Sequence, residues 1–108
     1  MCSIFGVLEL RQEPQFVRKM ALRQSRMLRH RGPDWSGIYS APNAVLAHER
    51  LSIVDVNTGA QPLLSESGRQ ALAVNGEIYN HQEIRAGFEG SYAFRTQSDC
   101  EVILPLYL

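Results

Sequence analysis

The first third of the chain carries a hydrophobic pattern that changes from strand-like to helical. Residues 3–10 are apolar and rich in strand formers, which predicts a buried strand. Pro14 suits the first position of a helix, and apolar side chains then recur on one helical face across residues 15–30. The pattern predicts an amphipathic helix of about four turns, ended by the Gly-Pro-Asp sequence at 32–34.

Shorter apolar runs in the middle of the chain predict strands joined by turns. The predicted strands are residues 37–40, 44–48, 51–54 and 71–74, with a turn at 41–43 and a polar loop at 57–67. The last strand ends at Asn75-Gly76, a pair that tolerates positive φ.

Two capping-box signatures predict helices in the last third of the chain. Asn80 and Glu83 form the first signature, and Ser98 and Glu101 form the second. The helix that begins at Asp99 is apolar nearly all round, so it is predicted to be buried.

The end of the sequence falls inside this second helix, without a glycine cap or a basic last turn. Pro105 is expected to kink the helix or to end it early. An apolar helix also needs packing partners that this chain does not obviously supply. The chain is therefore predicted to be a fragment, a truncated gene product or one piece of a longer protein.

Composition and charge exclude several classes of protein. Eleven basic residues balance eleven acidic ones, so the basic surface of a nucleic-acid-binding domain is not expected. No apolar run is long enough for a membrane span, and the N-terminal residues do not resemble a secretory signal. Two cysteines 98 positions apart are expected to be reduced thiols, which predicts a cytoplasmic protein.

Cys2 is the first candidate for chemistry. Removal of Met1 would give this residue a free α-amine, with a pKa of about 7.7–8.0 in model compounds, beside a nucleophilic thiol. One residue would then hold a nucleophile and a base. From the residues alone, a buried structural cysteine is the alternative.

Other candidates have structural explanations as well. Arg50 can bind a carboxylate through two hydrogen bonds or form a surface ion pair. Asn75 and Gly76 can supply two donors to an oxyanion or simply form a hairpin turn. Asp99 can bind an ammonium group or merely favour the start of its helix.

Metal and phosphate sites are not predicted. His30, His48 and His81 lack a metal-ligand spacing, and Cys100 is interpreted as an inert buried thiol. The sequence has no glycine-rich phosphate-binding loop, so no cofactor is expected to bind this chain.

Taken in order, these residues resemble one family. The chain is similar to the glutaminase domain, a class II glutamine amidotransferase, of glutamine-hydrolysing asparagine synthetases of the B type. The motifs that carry the resemblance are residues 1–6 (MCSIFG), 28–37 (LRHRGPDWSG), 48–55 (HERLSIVD), 59–63 (GAQPL), 74–81 (VNGEIYNH) and 98–104 (SDCEVIL).

The resemblance implies an α+β chain with the N-terminal-nucleophile hydrolase fold, an αββα sandwich of antiparallel sheets. Residues 1–108 would be the N-terminal portion of the domain. The downstream half of the domain and an ATP-dependent synthetase domain, which in the family uses ATP and Mg, would be absent.

The resemblance also implies roles at the reacting end of the substrate, glutamine. Cys2 would attack the side-chain carbonyl while its α-amine relays the proton, and a thioester would follow. The side chain of Asn75 and the N–H of Gly76 would hold the oxyanion.

At the other end of glutamine, Arg50 would bind the α-carboxylate, and Glu77 and Asp99 would face the ammonium group. Backbone groups would assist Arg50; these belong to Leu51, Ser52, Ile53 and Val54.

The function implied is glutamine hydrolysis that supplies ammonia for the conversion of aspartate to asparagine. Its partner would be a synthetase domain on the same chain, with a homodimer of the complete enzyme left open. One alternative is a truncated, non-catalytic glutamine-binding remnant. Another is an amidotransferase domain that serves a different acceptor, as in β-lactam-forming relatives.

Overall fold

An antiparallel sheet of three strands forms the N-terminal half of the protein. The computed structural model describes residues 2–51 and 59–108. The strands are β1 (Ser3–Leu8), β2 (Trp35–Ala41) and β3 (Ala44–Arg50). They lie in the order β1-β3-β2, and the predicted turn at 41–43 joins β2 to β3. The predicted strands at 37–40 and 44–48 are confirmed, and each is longer than its apolar run.

β1 is buried on one face only, so the prediction of a wholly buried strand is wrong. Phe5 and Val7 pack into the core, whereas Leu8 lies exposed. The reason is that the helix covers one face of this edge strand. The strand also ends two residues early, at the point where Glu9 adopts a φ of 54°.

Helix α1 (Pro14–Arg26) packs against this sheet and begins with the predicted proline. It ends before the predicted residue 30, because i→i+3 backbone hydrogen bonds replace the α-helical pattern between residues 28 and 32. Its buried side chains are Val17, Ala21 and Ser25. Phe16 and Met27, placed on the apolar face by periodicity, are exposed.

A buried carboxylate joins α1 to the sheet. Glu49 is only 1% exposed, and it lies opposite Ser36 in the strand register. Ser25 of α1 donates a hydrogen bond of 2.9 Å to one carboxylate oxygen, and the Ser36 hydroxyl donates to the other. Both oxygens of a group that is costly to bury thus have a donor.

Ser25→Ala is expected to destabilise the fold by about 1–2 kcal/mol, because Glu49 keeps its burial and loses one donor. Urea unfolding measures this loss. Ser40→Ala, at an exposed position of β2, is the control and should shift stability by less than about 0.5 kcal/mol. Equal midpoints for the two variants would contradict the role of Ser25.

A second, two-stranded antiparallel sheet is formed by β4 (Leu63–Leu64) and β5 (Ala71–Leu72). The strand predicted at 71–74 is therefore shorter than its apolar run, and the loop predicted at 57–67 contains β4. Of the strand predicted at 51–54, Leu51 lies outside any strand and the rest lies outside the described residues.

The helical segments of the last third are α2 (His81–Gly87), a 3₁₀ helix (Asp99–Val102) and α3 (Ile103–Tyr107). The predicted capping boxes do not form as drawn. Asn80 precedes α2 without a side-chain capping bond, whereas Ser98 accepts a hydrogen bond from the Cys100 N–H. Glu101 binds other donors, described below.

α3 is buried on one side only. Leu104 and Pro105 are buried, but Leu106, Tyr107 and Leu108 are exposed, so the prediction of a fully buried helix is wrong. The helix also continues past Pro105. A new helix starts at Ile103, which puts the proline in its first turn, where a backbone N–H has no intrahelical partner to lose.

The described residues form a mixed α+β structure with antiparallel sheets. Within residues 2–51 and 59–108, none of the helices has the length and apolar character needed to cross a membrane.

Candidate functional site

A cavity of about 260 Å³ lies where β1, β3 and the loop after β5 meet. Most of the candidate residues line it, although they come from four separate stretches of the chain. These residues are Cys2, Arg50, Leu51, Asn75, Gly76, Glu77 and Asp99. Ser52, Ile53 and Val54 lie outside the described residues. The structure therefore brings together what the sequence leaves up to 97 positions apart.

The sulfur of Cys2 is held by the end of β3. The backbone N–H of Leu51 donates a hydrogen bond of 3.2 Å to Sγ. This contact follows from the register, in which Ser3 lies opposite Glu49, so the residues just beyond each strand also meet. Cys2 is half-buried, and its thiol is accessible from the cavity.

The loop that carries Asn75 and Gly76 is fixed at its start by two hydrogen bonds to Val74. The Val74 N–H donates to the side-chain oxygen of Gln61 at 2.6 Å. The Val74 carbonyl accepts a bond of 2.9 Å from Nε2 of His48. Asn75 and Gly76 themselves are exposed, and both line the cavity.

His48 is a neutral structural histidine. It is fully buried, and burial lowers the pKa of its imidazole, with the Arg50 charge acting in the same direction. Because a carbonyl accepts from Nε2, that nitrogen carries the proton. Among the described residues, Nδ1 has no hydrogen-bond partner.

The described ranges also hold no group of three potential metal ligands.

The 3₁₀ helix closes the cavity from the other side. Asp99 is buried, and its Oδ2 accepts a hydrogen bond of 2.7 Å from the Ile78 N–H. The thiol of Cys100 donates a longer bond of 3.6 Å to the Gly76 carbonyl. Both contacts tie this helix to the loop that contains Asn75.

The thiol of Cys100 is buried in the cavity wall. Burial, with a further contribution from the Asp99 charge, raises the pKa of the Cys100 thiol to about 12. A thiol with this pKa stays protonated near neutral pH and is a poor nucleophile. The structure thus agrees with the interpretation of Cys100 as inert, although it lies in the cavity wall.

The charges around the cavity have the arrangement that a free amino acid requires. Arg50 is nearly buried and supplies one cation, and Glu77 and Asp99 supply two carboxylates. Cys2, Asn75 and Gly76 also line the cavity. One cation, two anions and a nucleophile suit a zwitterionic ligand with a reactive carbonyl.

Comparison with known proteins decides the family. Residues 1–108 match the glutamine amidotransferase domain family. The chain belongs to this family. It is 64% identical to asparagine synthetase B (glutamine-hydrolysing) of Escherichia coli over 99% of this chain and 19% of that protein. It is 51% identical to a probable glutamine-hydrolysing asparagine synthetase of Schizosaccharomyces pombe, over 99% of this chain and 19% of that protein.

A probable glutamine-hydrolysing asparagine synthetase of Dictyostelium discoideum is 52% identical, over 99% of this chain and 20% of that protein. The chain thus spans about a fifth of the length of these relatives. The resemblance read from the sequence motifs is confirmed.

Several residues that shape the site of this amidotransferase domain were missed by sequence reasoning. Gly59, Gln61, Tyr79, Ser98 and Cys100 also line the cavity. All five lie inside the quoted motifs, which was their one sequence signal, but only the tertiary structure shows that they line the cavity.

Proposed function

We propose that this amidotransferase domain hydrolyses glutamine with Cys2 as its nucleophile. The observation that carries the proposal is the meeting of Cys2, Arg50, Asn75, Gly76 and Asp99 around one cavity. These residues supply a nucleophile, two donors for an oxyanion, and charges for both ends of an amino-acid head group. The names of the relatives, glutamine-hydrolysing asparagine synthetases, support glutamine as the substrate.

The reaction begins once Met1 has been removed. The Cys2 sulfur forms a bond to the side-chain carbonyl carbon, and the α-amine of Cys2 takes the thiol proton. The carbonyl electrons move to oxygen, where the Asn75 side-chain amide and the Gly76 N–H stabilise the oxyanion. Collapse of this intermediate breaks the C–N bond, and the α-amine returns the proton to the departing ammonia. Water then hydrolyses the thioester to glutamate and frees the thiol.

The head group of glutamine is held by charge. Arg50 binds the α-carboxylate through two parallel hydrogen bonds, assisted by backbone groups of residues 51–54. Glu77 and Asp99 accept hydrogen bonds from the ammonium group. Arg50 and the ammonium group carry two positive charges, and Glu77, Asp99 and the α-carboxylate carry three negative ones. The bound complex therefore has an excess of one negative charge.

For the complete protein, we propose that the ammonia serves ATP-dependent conversion of aspartate to asparagine. The synthetase domain that binds ATP and Mg lies on the same chain in this proposal, and it selects the acceptor. In this proposal the whole domain has the αββα sandwich fold of N-terminal-nucleophile hydrolases. The protein acts in the cytoplasm. The two antiparallel sheets described above are compatible with that fold.

Labelling with 6-diazo-5-oxo-norleucine, a glutamine-like electrophile, tests the nucleophile. The purified protein at its natural length is incubated with the reagent, and intact mass and peptide mapping are measured. We expect loss of Met1 and a single adduct on Cys2, which excess glutamine prevents. An adduct on Cys100, or labelling that glutamine does not slow, would contradict the proposal.

A further inference from the structure

Another buried carboxylate stands close in sequence to the cavity lining. Glu101 is only 1% exposed and does not itself line the cavity. It stands two positions after Asp99 in the same 3₁₀ helix. A helix of four residues has few internal bonds, so contacts of its side chains must fix its orientation.

Three donors surround the Glu101 carboxylate. The backbone N–H groups of Arg95 and Thr96 each donate a hydrogen bond of 2.8 Å, one to each oxygen. The Thr96 hydroxyl donates to the same oxygen as its own N–H. The carboxylate thereby binds the loop that leads into the helix, instead of completing the predicted capping box with Ser98.

Arg85 of α2 holds the same loop from the opposite side. Its guanidinium donates hydrogen bonds to the carbonyl of Thr96 at 2.7 Å and to the carbonyl of Ser98 at 3.4 Å. The guanidinium also lies 4.1 Å from the centre of the Phe94 ring. The loop is thus fixed through its N–H groups by Glu101 and through its carbonyls by Arg85.

The two anchors determine where Asp99 can lie. Asp99 follows this loop directly, and its carboxylate reaches across to the Ile78 N–H. The two carboxylate oxygens of Glu101 fix the Arg95 and Thr96 N–H groups that donate to them. Because Asp99 follows this loop in the chain, a displacement of the loop would also displace the Asp99 carboxylate. Neither Glu101 nor Arg85 lines the cavity.

We infer that Glu101 is a positioning residue for substrate selection: it sets Asp99 so that the site prefers ligands with an α-ammonium group. The inference rests on the proposed function, because it assumes that Asp99 faces that group. Glu101 does not touch the substrate, so it acts on recognition of the head group and not on the thiol chemistry.

Glu101→Gln is the direct test. The amide oxygen accepts from one side, but the amide NH₂ now faces a backbone N–H, which leaves a buried donor unpaired. Steady-state kinetics are measured with glutamine and with glutaramate, the analogue that lacks the α-amine. We expect KM for glutamine to rise about tenfold while kcat changes less than about threefold. The kcat/KM for glutaramate should stay within about twofold.

Glu89→Gln, at an exposed position, is the matched control and should leave both substrates unaffected. An equal loss of kcat/KM for both substrates would show that Glu101 only supports the fold, and this would overturn the inference. Unchanged discrimination would overturn it as well. Thr96→Val removes the hydroxyl that donates to Glu101 and accepts from the Ser98 N–H, and it should reduce discrimination in the same direction. This variant is the second test should Glu101→Gln fold poorly.

Amide hydrogen exchange separates this inference from the proposed function. In Glu101→Gln we expect faster exchange of the Ile78 amide, which donates to Asp99, and unchanged exchange in β3. Protection of Ile78 equal to that of the unsubstituted protein would overturn the positioning role. An unsubstituted protein that fails to hydrolyse glutamine would instead contradict the proposed function, whatever the exchange experiment shows.

Discussion

Replacing Cys2 by alanine is expected to lower kcat for glutamine hydrolysis by a factor on the order of 10⁴ or more. Alanine removes the only protein group that bonds to the substrate carbon in the proposed mechanism, and loss of a nucleophile has effects of at least this size in other hydrolases. The Asn75 and Gly76 donors and the head-group contacts remain, so glutamine should still bind. Ammonia release measures kcat, and calorimetry measures binding.

Cys100→Ser is the matched control, since both thiols line the same cavity. The raised pKa of Cys100 keeps that thiol protonated, and serine preserves a donor for the Gly76 carbonyl. We expect less than about a tenfold loss of kcat for this variant. A Cys2→Ala protein with more than a tenth of the original kcat would exclude Cys2 as nucleophile. Thermal unfolding of both variants checks that each is folded.

Gly37→Ala is expected to destabilise the fold by about 3 kcal/mol or more, because β2 lies directly against the loop at Gln61. A Cβ at residue 37 would lie 1.8 Å from the Gln61 carbonyl oxygen. The carbonyl oxygen belongs to the main chain and the position of a Cβ is fixed by it, so neither atom can turn aside as the end of a long side chain would. The expected fall in Tm is roughly 10–20 °C for a domain of this size.

The same substitution should disturb the site. Gln61 positions Val74 through its side chain, and Val74 precedes Asn75. Gly87→Ala is the control: a Cβ there meets open space at the end of α2. Its stability should stay equal or rise by up to about 1 kcal/mol. Similar unfolding midpoints for the two variants would contradict the close approach at Gly37.

The sequence predicted those features that depend on a few neighbouring residues. Cys2, Arg50, Asn75 and Asp99 could be chosen because each stands in a short motif at a strand end or a helix start. The strands around the turn at 41–43 and the start of α1 at Pro14 were also predictable, since turn and proline preferences act over a few residues.

Features that depend on tertiary contacts could not be predicted. Periodicity places Phe16 and Met27 on the apolar face of α1, but it does not say how wide the covered face is. Glu49 and Glu101 look like surface residues in the sequence, yet their burial is possible because distant hydroxyl and backbone donors reach them. The capping-box prediction for Glu101 was wrong for this reason, since the loop at 95–96 offers that carboxylate better donors.

The strand order also determines how soon after synthesis the N-terminal strand can pair. β1 pairs with β3 and not with β2, and the bond from Leu51 to the Cys2 sulfur spans 49 residues. A ribosome that adds about 5–20 residues per second makes such a stretch in roughly 2–10 s. Throughout that interval residue 2 lacks its partner strand, so the peptide bond that joins it to Met1 is open to a processing peptidase. Under the proposed function, removal of Met1 therefore has several seconds before the Leu51 N–H reaches the Cys2 sulfur.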